Sequence, residues 1–294
     1  MRGILMSEST RLESVADLTV LVTGAAQGMG AIFARSACLE GARRVILWDI
    51  SSQQLLSRAE ELKELNPACK VETQVVDLRN QSAITAAADQ VLAGGNVDVL
   101  VNNAGVVAGA TFKEHRTAQI ADTMAVNSLA PMFLTHALLS QMGVHGRPAR
   151  ILTIASAAAL VSNPNMSVYA ASKAAVMSWS DSLRLELERE TDRDIKVTTF
   201  CPTYVSTGMF AGAKNMLLTP IMDPDYVTSK AWVAMLRGTP LVLLPWTSKL
   251  GQAMRGVLPR AAWDLMADKV FRIYGSMNEF TGHTKESAVD ETVS

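Results

Sequence analysis

This chain has little that would suit it to a membrane, a secreted scaffold or a nucleic-acid surface. No apolar run approaches the roughly 18–20 residues that cross a bilayer. Ile4, Leu5 and Met6 after Arg2 fall short of the roughly 7–15 apolar residues of a secretory signal, so residues 1–16 read as a flexible N-terminal tail. Cysteine is scarce. Cys38, Cys69 and Cys201 are odd in number and match neither CxxC nor a zinc spacing, which argues against a disulfide framework. His115, His136, His145 and His283 show no HExxH or paired spacing, so no metal site is expected. Charge of either sign is balanced, 27 Lys+Arg against 28 Asp+Glu, and no basic run gives nucleic acid a footing. These absences leave a soluble, cytoplasmic protein as the expectation.

What is present is a large apolar fraction, 49% of 294 residues, which is enough for a sizeable core and argues against disorder. Aromatics are only 5% while methionine reaches 15 residues, which suits an aliphatic, adaptable interior. Short β-rich runs alternate with longer Ala/Leu/Glu-rich stretches from Val20 to Phe200. Such alternation predicts βαβ units around a parallel sheet. The runs VLV, VILW and VDVLV are nearly all apolar, as strands covered on both faces must be. Residues 17–245 therefore read as one α/β domain. Tyr226–Arg237 looks helical, and Leu241–Leu244 between two prolines reads as an edge strand. Residues 246–282 form an extension with an amphipathic helix after Pro259, expected to pack on the domain or on a neighbouring subunit. Residues 283–294 are polar and read as a disordered tail.

The first chemical signal is Thr23-Gly24-Ala-Ala-Gln27-Gly28-Met29-Gly30, directly after the first strand. Glycines there allow a tight turn and let backbone N–H groups approach a pyrophosphate at the positive end of a helix. The spacing is GxxxGxG rather than GxGxxG, so the strand–turn–helix context carries the inference. Asp49 closes the second strand, 19 residues after Gly30. A carboxylate there accepts hydrogen bonds from ribose hydroxyls and repels a 2′-phosphate. Neither Gln27 nor Ile50 supplies a neutralising cation, so NAD(H) is expected over NADP(H), with Arg43 and Arg44 nearby in sequence as the reservation.

Tyr169 and Lys173 stand four residues apart, on one face of a helix. A free phenol, pKa about 10, is a poor base at neutral pH, and an adjacent cation favours its ionised form. Ser156 follows a strand at the carboxyl edge of the sheet, placed to hydrogen-bond a substrate oxygen. Asn127 lies in a separate helical stretch and can hold a water between Lys173 and solvent.

Together, Thr23–Gly30, Asn102-Asn103-Ala104-Gly105, Asn127, Ser156 and Tyr169…Lys173 resemble, in order and spacing, the short-chain dehydrogenase/reductase family over roughly residues 17–210. The resemblance implies a single Rossmann-type, doubly wound domain with a seven-stranded parallel sheet. It implies Tyr169 as general acid/base, Lys173 on the nicotinamide ribose and lowering the Tyr pKa, Ser156 polarising the carbonyl and Asn127 completing a proton relay. Asp77 and Leu78 match the pair that contacts adenine, and Asn103, Ala104 and Gly105 lie beside the adenosine ribose. Two departures stand out: Thr203 replaces the glycine of a Pro-Gly pair, and Ala155 replaces a common serine. In Pro202-Thr203-Tyr204-Val205-Ser206-Thr207-Gly208-Met209-Phe210, Pro202, Thr203, Val205 and Thr207 fall at cofactor positions, with Thr207 toward the carboxamide. This form resembles the branch of retinol and 17β-hydroxysteroid dehydrogenases and their bacterial relatives.

Leu160, Val161, Met166, Tyr204, Met209, Phe210 and Met216 are mostly apolar and suit a lipophilic secondary alcohol or ketone. Half of them are equally well explained as core. By resemblance the chain forms a homodimer or homotetramer through the helices near 118–142 and 168–190. Three alternatives stay open: an NADPH-dependent carbonyl reductase, a catalytically inert dinucleotide-binding regulator, and a peripheral membrane adaptor built on the C-terminal extension.

Overall fold

The structure, a computed structural model, describes residues 11–190, 192–217 and 219–282. The first ten residues and the expected disordered tail 283–294, with His283, lie outside the described residues. Seven strands, β1 (Thr19–Thr23), β2 (Arg44–Asp49), β3 (Lys70–Val75), β4 (Val99–Asn102), β5 (Ala149–Ile154), β6 (Ile195–Pro202) and β7 (Leu241–Leu244), form one sheet in the order 3-2-1-4-5-6-7. Every pairing is parallel. The Rossmann-type, seven-stranded architecture expected from the sequence is the one observed, with Leu241–Leu244 as its edge strand.

Alternating strand residues feed two cores. Val20, Val22, Val45, Leu47, Val99 and Val101 face helices α1 (Gly28–Leu39), α2 (Ser52–Leu65) and α7 (Pro224–Leu236). Leu21, Ile46, Trp48, Leu100 and Ile151 face α3 (Gln81–Ala93), α5 (Ala130–Leu139) and α6 (Ser167–Leu187). Burial on both sides explains why these strands are apolar throughout. Strand order reverses between β1 and β4, and the connections diverge there to leave a crevice at the carboxyl edge. Thr23, Asp49, Asn102, Ile154 and Pro202 are the strand ends that border it.

One expectation is corrected. Residues 11–16 were expected in the flexible tail, but they pack on the domain. Val15 is fully buried, its N–H donates to Glu40, and the N–H of Leu12 donates to the carbonyl of Leu236. Glu40 is fixed in turn by the indole N–H of Trp232 at 2.7 Å. The extension carries a helix where one was expected after Pro259, α9 (Arg260–Leu265), and ahead of it a further helix, α8 (Thr247–Val257), that contains Gly251 and Gly256. The extension folds back onto the domain through buried Trp263, Ser276 and Met277.

Candidate active site

The crevice is a cleft of about 510 Å³. Its floor is the glycine-rich turn. Gly24 holds a φ of +64°, and a Cβ on Gly30 would stand 1.9 Å from the Gly24 carbonyl oxygen, so only glycine fits. Asn103 pins this turn to the loop after β4: its Nδ2 donates to the carbonyls of Thr23 (3.0 Å) and Gly24 (3.3 Å). Thr23 Oγ1 accepts from the N–H groups of Asn103 and Ala104, both at 3.1 Å. Asp49 accepts from Ala26 N at 3.0 Å and from Ser51 N at 3.1 Å, which ties the end of β2 to the turn. Gln27, Met29, Asp77, Leu78, Gly105, Pro202, Val205 and Thr207 line the same cleft, and Thr207 faces Gly28 across it.

Arg43 and Arg44 lie at the opposite end of β2, roughly 16 Å of extended chain from Asp49. Arg43 bonds Thr19 Oγ1, and Arg44 bonds Glu72 at 2.6 Å. Neither bears on the cleft. Arg79 does line it, paired with Asp77 at 2.8 Å and 3.7 Å from Asp122. Its spacing from the glycine turn gave no warning of this.

Three of the four residues expected in catalysis, Ser156, Tyr169 and Lys173, line the inner wall, and Asn127 lies behind it. Tyr169, Lys173, Ser156 and Asn127 are all buried. A π-turn over Ala125–Leu129, between α4 (Thr117–Met124) and α5, swings Asn127 inward. Its Oδ1 accepts from Val106 N (2.8 Å), and its Nδ2 donates to Val106 O (2.9 Å) and Ser172 Oγ (3.0 Å). Asn127 Oδ1 and Lys173 Nζ both close on Gly105, at 3.3 and 3.4 Å from where its Cβ would be. Lys173 Nζ donates to the carbonyl of Ile154 at 2.8 Å.

The electrostatics differ from the expected simple pairing. Burial pushes the Tyr169 hydroxyl well above the ordinary phenol value, and the neighbouring Ser156 hydroxyl only partly offsets this. Burial likewise pulls the Lys173 ammonium down to about 8. The ammonium is 5.9 Å from the centre of the Tyr169 ring and spends a proton on Ile154. Desolvation therefore sets the direction for the phenol in the protein by itself, opposite to the lowering that Lys173 was expected to bring.

Beyond Ser156 and Thr203, which border both spaces, lies a second cavity of about 100 Å³. Val161, Met166, Tyr204 and Met216 line it, and Trp263, Leu250 and Phe271 of the extension close it. Met209 and Phe210 line the main cleft, where the Phe210 ring stands edge-on to Tyr169 at 5.9 Å. Leu160 lines neither space; it packs with Ala155, Val176 and Cys201. The contributions of Trp263, Phe271 and Ser276 were not legible, because residues some hundred positions downstream carry no periodic link to the catalytic segment, and Asn163, seven residues past Ser156, falls in no motif.

A parallel sheet in this order, with a glycine-rich turn at its switch point, defines the Rossmann-type class of dinucleotide-binding folds. Residues 18–217 match the family model of the short chain dehydrogenases. The chain belongs to that family of oxidoreductases. It is 32% identical over 278 residues to retinol dehydrogenase 10 of Xenopus tropicalis, covering 84% of this chain and 80% of the relative. It is 33% identical over 262 residues to estradiol 17-beta-dehydrogenase 11 of Pongo abelii, covering 88% and 85%. A Burkholderia phymatum short chain dehydrogenase/reductase solved with NAD superposes with a TM-score of 0.73 at 23% identity, over 83% of this chain and 94% of that one. A Burkholderia cenocepacia short chain dehydrogenase solved with NADP gives 0.70 at 24%, over 79% and 97%. At these identities the structural likeness speaks to fold. Among the described residues, no helix is long and apolar enough to cross a membrane.

Proposed function

We propose that this chain is an NAD-dependent dehydrogenase that oxidises a lipophilic secondary alcohol or, in reverse, reduces the ketone. The observation that carries the reading is the convergence of Ser156, Tyr169 and Lys173 on the inner wall of the glycine-floored cleft, with Asn127 buried behind Gly105 and Val106. The side-chain-free turn at Gly24, Gly28 and Gly30 fits a pyrophosphate, and Asp49, Asn103 and Thr207 stand where the rest of a dinucleotide would be held. The nicotinamide supplies a site that takes or gives a hydride.

The chain's own residues do the remaining work. The Ser156 hydroxyl donates to the substrate oxygen and orients it. Tyr169, protonated at neutral pH by its buried setting, gives its proton to that oxygen during reduction and takes it back during oxidation. Lys173 brings a positive charge that favours the phenolate form. Asn127 fixes the Gly105–Val106 loop and offers the remaining lone pair of Oδ1 to a relay water beside Lys173. The apolar cavity beyond Ser156 supports a lipophilic substrate, in keeping with relatives named for retinol and estradiol.

A second reading, NADPH-dependent carbonyl reduction, draws on Arg79, a cation in the same cleft as Asp49. Following reduced-cofactor absorbance with 1-phenylethanol-type alcohols and each oxidised cofactor tests both. NAD is expected to support the higher kcat/KM; a clear preference for NADP would favour the second reading. We further propose that the protein is cytoplasmic and a homodimer or homotetramer, with exposed Leu129, at the end of the π-turn before α5, and Leu185 of α6 at the contact.

A further inference from the structure

Residues 276–282 form a strap that joins the two lips of the cleft. With the residues just before it, the strap runs antiparallel to the chain that follows β6. Leu217 N donates to the carbonyl of Phe271 at 3.0 Å, Lys214 N to that of Ser276 at 2.9 Å, and Thr281 N to that of Ala211 at 3.0 Å. Lys214 and Glu279 add an ion pair. A glycine on each lip makes room for it. The lip after β4 lines the cleft with Val106, Val107 and Ala108, and a Cβ on the next residue, Gly109, would stand 2.3 Å from Cδ1 of Phe280. The lip after β6 lines it with Met209 and Phe210, and a Cβ on Gly212 would stand 2.1 Å from the carbonyl oxygen of Glu279. Approaches that close leave no space for a side chain, so both lips are cut to fit the strap.

The strap also reaches the surroundings of the reacting phenol. Met277 is buried in one apolar cluster with Tyr169 and Tyr204, and Phe280, Phe210 and Val107 pack against it. Neither Met277 nor Phe280 lines the cleft or the cavity beyond Ser156. The lips make those contacts instead, with the Phe210 ring edge-on to Tyr169. Among the described residues, the backbone bond that leaves the turn 208–213 for another part of the chain goes to the strap, at Thr281.

We propose that Phe280 is a positioning residue: the strap clasps the two lips, and through them it holds Val107 and Phe210 about Tyr169 so that an apolar alcohol is presented to the phenol in one orientation. This rests on the dehydrogenase reading above and adds a determinant to that same site. A turn tied at a single point is free to open when that tie is lost, and an open lip binds substrate in many poses.

The test reads the clasp and the chemistry separately. Hydrogen exchange of the protein without substrate, followed at the amides of Lys214 and Leu217, should quicken by about 10-fold or more in Phe280→Ala. Gly109→Ala, whose methyl displaces the same ring from the opposite lip, should do likewise. In both variants KM for 1-phenylethanol should rise about 10-fold while kcat falls by less than about 3-fold. Cofactor affinity should stay near wild type, because the glycine turn and Asp49 are untouched. Adding Gly109→Ala to Phe280→Ala should cost nothing further, since the ring it would meet is gone. Phe280→Leu, a smaller filler, should raise KM a few-fold and serves if the alanine variants do not fold. Unchanged exchange in the variants overturns the clasp, and quickened exchange with an unchanged KM overturns the positioning role; both leave the dehydrogenase reading intact. A wild type that oxidises no secondary alcohol with NAD or NADP overturns that reading, and the role of Phe280 with it.

Discussion

At the residue scale, the chemistry lies in groups whose charge the interior opposes. Lys173 titrates at about 8 in the folded protein against 10.5 for a free amine. Between those values the unfolded chain binds a proton that the native state lacks, so stability rises with pH there. Lys173 should contribute a gain of about 2 kcal/mol to the urea-unfolding free energy of the cofactor-free protein from pH 7.5 to 9.5, read as the difference between wild type and Lys173→Met, because the raised thiols of Cys38, Cys69 and Cys201 act oppositely in that window. Lys173→Met should remove that slope; an equal slope in the variant would contradict the burial argument. Tyr169 acts oppositely, since its raised value lets stability fall only above about pH 10, the value of a free phenol. Asp49 carries a separate expectation. Asp49→Ser removes a carboxylate from the ribose side of the cleft and should shift the NADP-to-NAD ratio of kcat/KM upward by roughly 10- to 100-fold. These side chains were legible because their spacing is local: Tyr169 and Lys173 share one helical face, and Asp49 ends a strand that follows the glycine turn. Their protonation was not, because desolvation depends on what the rest of the fold places around them.

At the element scale, strand and helix alternation was written in apolar runs and could be read directly. The irregular pieces could not. Ala125-Val-Asn-Ser-Leu129 contains no proline or glycine, yet it widens into a π-turn that carries Asn127 to Val106. Helix α8 was missed because Gly251 and Gly256 weaken its local propensity; none of its residues is buried, and it meets the domain where Leu250 and Gly251 border the cavity beyond Ser156. The glycine turn is the element most open to test. Gly30→Ala would force a Cβ against the Gly24 carbonyl and should destabilise the fold by about 2–3 kcal/mol. Dinucleotide binding, followed by cofactor fluorescence, should be lost with it; an alanine variant of unchanged stability and affinity would contradict the close-approach argument.

At the scale of the whole molecule, the extension after β7 returns over the catalytic edge and completes a cavity begun by residues 156–166. Sequence order hides this contact: Asn163 and Ser276 are 113 positions apart. The proposed dimer or tetramer is equally invisible locally; Leu129 and Leu185 are among the exposed leucines. Sedimentation should find a dimer or tetramer, and Leu129→Lys with Leu185→Lys should shift it toward monomer; a monomeric wild type would sink that assignment. What unites the scales is the proposed role of one phenol, Tyr169, buried with Ser156 and Lys173 at the cleft wall. Tyr169→Phe deletes only its hydroxyl and leaves the cleft unchanged. Cofactor titration and turnover of a secondary alcohol, measured on the same preparation, should show near wild-type cofactor affinity with kcat lowered by about 10³-fold or more. A variant that turns over at the wild-type rate would contradict the account.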